Sequence, residues 1–152
     1  MDDTARLLAA DEHELWRSLG RVVQRLPRVV DDDMVRASGL TMSEFAVLDS
    51  LREARGMTLR ITDLAANTGL SHSRVSRMVD ALSGRGWCRR ERDASDGRAA
   101  LAVLTEEGRR RAEDASAHHA RIARRRVLEH VPAEVRDSFR AILTAIGDAG
   151  TE

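Results

Sequence analysis

The stretch that decides the fold is residues 61–108, ITDLAANTGLSHSRVSRMVDALSGRGWCRRERDASDGRAALAVLTEEG. Its apolar spacing predicts a short helix over 61–68, and Gly69 predicts a tight turn directly after it. Ser71 is a strong N-cap for a second helix that runs to about Ser83. Two short helices joined by such a turn form a helix-turn-helix, whose second helix can enter the major groove of DNA.

A β-hairpin is predicted after the second helix. Residues 87–92 and 99–104 are compatible with strands, and the turn-forming residues 93–98 lie between them. A hairpin in this place is the wing of a winged helix-turn-helix. Thr105 and the acidic residues that follow it then predict the start of another helix, which runs to about residue 130.

Three further helices flank this unit. Apolar spacing predicts a long amphipathic helix over residues 5 to about 30, which the acidic triplet 31–33 and Gly39 interrupt. Thr41 and Glu44 form a capping-box pattern for a helix over 42–54. A last helix, over about 133–147, follows Pro132.

The pattern therefore predicts a mainly α fold of six helices with a small β-hairpin wing. The terminal helices carry more apolar surface than the small DNA-reading unit can cover, so we expect N- and C-terminal helices to form a homodimer. We expect residues 1–152 to form a single domain, with residues 41–105 as the reading unit and residues 1–35 and 106–152 as dimerisation helices.

Composition excludes several other classes of protein. The 152 residues contain 42% hydrophobic and 33% charged residues, which is typical of a globular domain. Cys88 is the only cysteine, so neither an intrachain disulfide nor a cysteine-cluster zinc site is possible. Phosphate-binding loops and hydrolase motifs are missing from the sequence, so we expect no enzyme activity, cofactor or metal. An acidic N-terminus and the lack of a long apolar run predict a cytoplasmic protein without membrane association.

Positive charge is concentrated where DNA would be read. All basic residues other than histidine are arginines, and residues 71–98 hold seven of them against four acidic residues, although the whole chain is formally neutral. Arginine binds phosphates and base edges through its forked guanidinium. The segment therefore has the electrostatic footprint of a DNA reader, although a solvated basic face would show the same composition.

The residues of this stretch resemble the multiple antibiotic resistance regulator (MarR) family of winged helix-turn-helix proteins. The resemblance rests on Leu64-Ala65, Leu70-Ser71, Leu82 with Gly86, the wing pattern Asp93-x-x-Asp96-x-Arg98, and Leu104-Thr105-x-x-Gly108. It covers essentially the whole chain. It implies a dimeric regulator that binds pseudo-palindromic promoter DNA and usually represses. Ala94 and Arg60 depart from the family pattern, which commonly has a proline and a small hydroxyl residue there.

The outward face of the second helix supplies the candidate DNA contacts, and a merely solvated face is the alternative. The candidates are Ser71, His72, Ser73, Arg74, Ser76 and Arg77. In the wing, Arg89, Arg90 and Arg92 are candidate phosphate contacts, and any one of them could instead form a surface ion pair. Family resemblance implies that Arg98 enters the minor groove, with Asp96 either holding the wing or acting as an ordinary turn residue.

The resemblance also implies a pocket for a small aromatic or phenolic effector. His13 and Trp16 are the candidate pocket residues because an aromatic ring and a titratable neighbour suit such a ligand, although a tryptophan is more often simply core. His118 and His119 point about 100° apart on one helix, which disfavours a shared metal and favours solvent exposure. Cys88 is expected to be a buried, inert thiol.

One alternative function stays open at the level of sequence. A helical protein-interaction module that kept the fold but lost DNA binding would fit the neutral charge and the acidic N-terminal third. The two hypotheses differ in salt dependence, because phosphate contacts release counterions and an apolar interface does not.

Overall fold

The computed structural model describes residues 7–93 and 99–149. Six α-helices and three short strands follow in the order α1 (Ala10–Ser38), α2 (Met42–Glu53), β1 (Thr58–Arg60), α3 (Ile61–Thr68), α4 (His72–Gly84), β2 (Cys88–Arg92), β3 (Ala100–Leu104), α5 (Glu106–Arg126) and α6 (Arg136–Ala149). Single 3-10 turns lie at Arg55–Met57, Leu128–His130 and Ala133–Val135. The predicted mainly α fold with six helices and a wing is confirmed.

Helix α1 differs from its predicted bounds of 5 to about 30. It begins at Ala10, and it continues through Pro27 and the acidic triplet to Ser38, where Gly39 ends it in a left-handed conformation with φ +73°. The prediction that the triplet interrupts the helix was wrong, because groups distant in sequence bind the carboxylates of Asp31 and Asp33.

Asp33 is a buried carboxylate that joins α1 to α5. Its side chain is 5% exposed, and its Oδ2 accepts hydrogen bonds from Arg126 Nε at 2.7 Å and Arg125 Nη2 at 2.9 Å. The hydrogen bond from Arg126, together with that from Arg125, lowers the pKa of Asp33 below its usual range. A buried charge is tolerated only when it is paired and hydrogen-bonded in this way.

Asp31 joins the same helix to α2. Its Oδ1 accepts a hydrogen bond of 2.7 Å from the backbone N–H of Met42, the first residue of α2. That N–H is one of the donors that a helix leaves unsatisfied at its N-terminus. Thr41 and Glu44 form the predicted capping box beside it, so three side chains fix the start of α2.

The helix-turn-helix follows the predicted bounds closely. Helix α3 covers residues 61–68 as predicted, and Gly69 ends it with φ +66°, a conformation that favours glycine. Ser71 caps α4 by accepting from the backbone N–H of Arg74 at 3.3 Å. Val75, Val79 and Leu82 are buried on the inner face of α4.

The sheet contains one strand more than the predicted hairpin. Its order is β1-β3-β2, and both pairs are antiparallel, with Thr58 opposite Val103 and Cys88 opposite Leu104. Strand β1 is only three residues long and pairs with residues more than 40 positions away, so no local pattern indicates it. It attaches the wing to the residue that precedes α3.

Helices α1 to α5 and the sheet share one core, which includes Met34, Leu48, Leu51, Leu64 and Leu82. Helix α5 ends at Arg126, somewhat before the predicted residue 130, and α6 begins at Arg136 after a 3-10 turn. Over the part of the chain that the structure describes, no helix is long and apolar enough to cross a membrane.

Candidate nucleic-acid interface

Helix α4 presents a polar, basic face away from the core. His72, Ser73, Arg74 and Arg77 are exposed, whereas Val75 and Val79 on the opposite side are fully buried. This division follows from the 3.6-residue period of the helix. The first acidic residue of the helix is Asp80, so its first two turns carry only neutral or basic side chains.

Arg74 and Arg77 border a cleft between α4, the start of α2 and the middle of α1. Arg74 Nη2 donates to Ser43 Oγ at 3.1 Å, and Arg28 of α1 reaches the same cleft. Asp31 and Glu44 also border the cleft, but both carboxylates are already bonded to neighbouring groups, which leaves three arginines as the excess charge. The cleft is therefore a basic surface beside the outward face of α4.

Ser76 and Arg90 contact each other across α4 and the wing. Arg90 Nη1 donates to Ser76 Oγ at 3.0 Å and forms an ion pair with Asp80 at 3.1 Å. Of the predicted wing contacts, Arg89 pairs with Glu91 at 2.5 Å, whereas Arg92 is exposed. Two of the three wing arginines thus form the surface ion pairs that the sequence left open, and their proposed role at phosphates stays a prediction.

The base of the wing is held by an ion pair that the sequence analysis missed. Arg60 occupies the N-cap position of α3, but its side chain makes no capping hydrogen bond to the helix. Its Nε and Nη2 lie instead 2.9 Å and 2.7 Å from Asp93 Oδ2. The backbone N–H of Asp93 also bonds to the carbonyl of Ala99 at 3.0 Å, which closes the ladder below the turn. The departure of Arg60 from the family pattern thus has a structural role. Asp96, Arg98 and the turn around them lie outside the described residues.

The two candidate effector residues lie one turn apart at the start of α1. Trp16 is 66% exposed and His13 is exposed, and two cavities beside α1 are lined by residues from Ser18 onward. His13 Nδ1 lies 3.3 Å from the carbonyl oxygen of Leu8. The structure therefore brings His13 and Trp16 together on one exposed face, and their role in an effector pocket stays a prediction.

The remaining candidate groups have structural contacts. His118 and His119 are half-buried rather than solvent-exposed as expected, because the His119 ring packs on Phe45 at 4.8 Å and Arg121 bonds to His118. Cys88 is buried as predicted, its Sγ lies 3.4 Å from the carbonyl of Val79, and burial raises the pKa of its thiol. Among residues 7–93 and 99–149, no three metal-ligating side chains cluster in a way that could hold an ion.

An exposed basic helix with a wing strand packed beside it defines the class of winged helix-turn-helix proteins. The family model for the MarR family matches residues 40–100. The chain is similar to Sco3205 of Streptomyces coelicolor, a MarR family transcriptional regulator solved in complex with DNA, with 29% identity, a TM-score of 0.91, and coverage of 99% of this chain and 94% of the other.

Two further relatives support the same assignment. CouR of Rhodococcus jostii RHA1, solved bound to p-coumaroyl-CoA, is 33% identical with a TM-score of 0.69, over 84% of this chain and 87% of that one. The transcriptional repressor YetL of Bacillus subtilis is 26% identical over 142 residues, which is 93% of this chain and 83% of YetL. The chain belongs to the MarR family of transcriptional regulators.

Proposed function

We propose that this regulator is a homodimeric repressor that binds a pseudo-palindromic promoter site through two copies of α4. The observation that carries the proposal is the exposed, acid-free first half of α4 with Arg74 and Arg77 on its outer face. The DNA complex of Sco3205 and the repressor activity in the name of YetL support it. A repressor of this kind blocks the promoter sterically and works in the cytoplasm, where bacterial promoter DNA lies.

Base contacts are assigned to Ser73, Arg74 and Arg77. These side chains lie near the N-terminal half of α4, the part of a recognition helix that usually contacts base edges. Arginine forms paired hydrogen bonds with guanine O6 and N7, each pair contributing about 1–3 kcal/mol of discrimination. We assign His72 and Ser71 to the neighbouring phosphates, together with Arg89, Arg90 and Arg92 of the wing.

The dimer interface is assigned to the terminal helices. Phe139, Ile142, Leu143 and Ile146 of α6 are each between 38% and 56% exposed, and α6 makes its main contacts with the adjoining turn Ala133–Val135. Exposed apolar surface of this extent is typical of an oligomer interface. We propose that residues 106–152 and residues 1–35 bury these side chains against a second copy, while residues 41–105 read DNA.

We also propose that a small aromatic ligand releases the DNA. The complex of CouR with p-coumaroyl-CoA supports this class of ligand, and the exposed pair His13 and Trp16 is the assigned contact. The dimer can adopt a separation of its two α4 helices that fits DNA and a separation that does not. A ligand releases DNA only if its affinity for the second conformation is higher than its affinity for the first.

The proposal is tested by selecting an operator and then measuring affinity. The wild-type protein selects binding duplexes from a random pool, and fluorescence anisotropy then measures Kd for the selected duplex and for a scrambled one over a salt series. We expect competitor-resistant binding that weakens steeply with salt, because phosphate contacts release counterions. Size-exclusion chromatography with light scattering reports the oligomeric state in the same buffer.

Arg77→Ala and Arg110→Ala form a matched pair of variants. Both remove one positive charge from an exposed helical position, but Arg110 lies on α5 rather than on α4. We expect Arg77→Ala to weaken operator binding by about tenfold, the equivalent of one base contact, and Arg110→Ala to leave it nearly unchanged. Equal losses for both variants, or selection of no sequence at all, would contradict the assigned interface and favour the protein-interaction alternative.

A further inference from the structure

Trp87 lies where the reading unit meets the long helices. Helix α4 ends at Gly84, and Arg85 and Gly86 then lead to Trp87, which directly precedes β2. Two guanidinium groups lie over its indole ring, with the Cζ of Arg85 and the Cζ of Arg111 each 5.0 Å from the ring centroid. Both distances are within the range of a cation–π interaction.

Each of the two arginines is anchored at its other end to a different helix. Arg85 Nη1 pairs with Glu44 Oε1 at 3.0 Å, and Glu44 is the capping residue at the start of α2. Arg111 Nη2 donates to the carbonyl of Ser38 at 2.9 Å, at the last residue of α1. We call Glu44, Arg85, Trp87 and Arg111, with the Ser38 carbonyl, the Trp87 junction. It connects α1, α2 and α5 to the end of α4.

Arg111 depends on the indole ring for its burial. Its Nε is buried without a hydrogen-bond acceptor within the described ranges, which is a costly state for a charged group. The face of the Trp87 ring is the electron-rich surface that compensates part of this cost. The contact between Trp87 and Arg111 is therefore specific to an aromatic ring and is not generic packing.

The backbone of the junction is equally constrained. The Trp87 carbonyl accepts a hydrogen bond of 3.1 Å from the Thr105 N–H, and Thr105 Oγ1 donates to the Gly86 carbonyl at 2.7 Å. Thr105 is also the N-cap of α5, since its Oγ1 accepts from the Gly108 N–H at 3.0 Å. The end of α4 and the start of α5 thus share one set of hydrogen bonds.

We propose that Trp87, Arg85 and Arg111 are positioning residues for DNA binding, which fix the direction of α4 relative to α1 and α5. The inference rests on the proposed dimeric function, in which α1 and α5 belong to the dimer frame. A dimer reads two half-sites only if its two recognition helices keep the separation of one DNA turn, about 34–36 Å. Loosening the junction would widen the range of separations without removing a single DNA contact.

The test measures how affinity for the operator depends on the spacing of its half-sites. Operators carry the selected half-sites at the native spacing or with one base pair inserted or deleted, which moves a half-site by about 3.4 Å along the axis. The measured quantity is the ratio of Kd at shifted spacing to Kd at native spacing. We expect this ratio to fall at least about threefold in Arg111→Met, Arg85→Met and Trp87→Leu, because a looser junction tolerates wrong spacing.

Two variants separate positioning from general destabilisation. Arg110→Met is the matched control, since it makes the same change at the neighbouring exposed residue of α5 and should keep the wild-type ratio. Trp87→Phe retains an aromatic face and should restore the ratio largely toward wild type. The positioning role would be overturned if a variant lost affinity equally at every spacing, or if Trp87→Phe had the same ratio of Kd values as Trp87→Leu.

A measurement without DNA distinguishes failure of this inference from failure of the proposed function. A spin label on Ser73→Cys, in a Cys88→Ser background, reports the distance between the two α4 helices of the dimer by double electron–electron resonance. We expect a narrow distribution for the parent and for Arg110→Met, and a broader one for Arg111→Met and Trp87→Leu. DNA binding is judged on the unlabelled wild type, because the label replaces the proposed base contact Ser73. Unchanged widths overturn the inference even if the wild type binds DNA, and a narrow parent distribution together with a wild type that does not bind DNA overturns only the proposed function.

Discussion

Gly108 is the residue at which the structure makes its sharpest prediction of stability. It lies in the first turn of α5, where alanine would ordinarily be favoured over glycine by about 1 kcal/mol. A Cβ at this position would overlap the carbonyl oxygen of Trp87 and would lie 2.8 Å from Leu104 Cδ1. Gly108→Ala therefore tests whether close approach or helix propensity decides the outcome.

The magnitude follows from what must move. The Trp87 carbonyl is backbone and is bonded to the Thr105 N–H, so it cannot rotate away as a flexible side chain would. Overpacking costs about 1–3 kcal/mol, and a rigid neighbour places this site at the upper end. Loss of the Thr105 hydrogen bond adds about 1 kcal/mol. After subtracting the gain in helix propensity, we expect Gly108→Ala to destabilise the protein by about 2–3 kcal/mol.

Urea unfolding followed by circular dichroism measures this difference at one fixed protein concentration, because a dimer's stability depends on concentration. With a slope of about 2 kcal/mol per molar urea, the midpoint should fall by about 1 M. Gly84→Ala is the control, since its added Cβ meets nothing within 4 Å in the described structure and should leave the midpoint unchanged or raise it. A midpoint for Gly108→Ala at or above that of the wild type would refute the reasoning.

Three further predictions concern the buried and paired side chains. Hydrogen bonds from two arginines lower the pKa of Asp33, so its contribution to stability is present above about pH 4 and is lost as pH falls through the folded-state pKa. Asp33→Asn should therefore lower the urea midpoint at pH 7 and flatten its decline below about pH 4, and an unchanged acid profile would contradict this. Arg60→Met should loosen the base of the wing, because it removes the ion pair with Asp93, and it should weaken operator binding severalfold in anisotropy titrations. Arg60→Lys should have an intermediate affinity, because it keeps the charge but loses the forked guanidinium. Equal affinity of the wild type and both variants would show that the ion pair does not position the wing. Burial raises the pKa of Cys88, so its thiol should react with a disulfide reagent at pH 8 at least about tenfold more slowly in the native protein than in urea. Rapid reaction of the native protein would contradict the prediction that this thiol is inert.

Local signals were sufficient for the reading unit. Ser71, Gly69 and the capping box at Thr41 act on their own neighbours in sequence, so the bounds of α2, α3 and α4 could be predicted to within a residue or two. The outward face of α4 also follows from the helical period alone. The burial of Cys88 could also be predicted, because free cysteine is among the most often buried residue types.

Nonlocal pairing explains what the sequence analysis missed. The charge of Asp33 is compatible with its buried position in α1 because Arg125 and Arg126 reach it from more than 90 residues away. Strand β1 exists because β3 offers it a partner, and the importance of Arg60 depends on Asp93 across the sheet. None of these partners is visible in a window of local sequence.

The acidic triplet that was expected to end α1 instead constrains how any effector could work. Asp33 fixes α1 to α5, Asp31 fixes it to the start of α2, and the carbonyl of Ser38 at its end binds Arg111. Helix α1 is thus bonded directly to the reading unit through Asp31 and to α5 at two further points, and α5 shares hydrogen bonds with the end of α4, so the reading unit cannot pivot on one contact alone. A ligand that changes the separation of the two α4 helices must therefore move each α1 against its partner copy with the reading unit attached, or break a named contact. Breaking the contact to Asp33 leaves a buried carboxylate without its partners, which is the costlier route. His13 and Trp16 are exposed at the start of α1, far in sequence from all three attachments, which favours the first route.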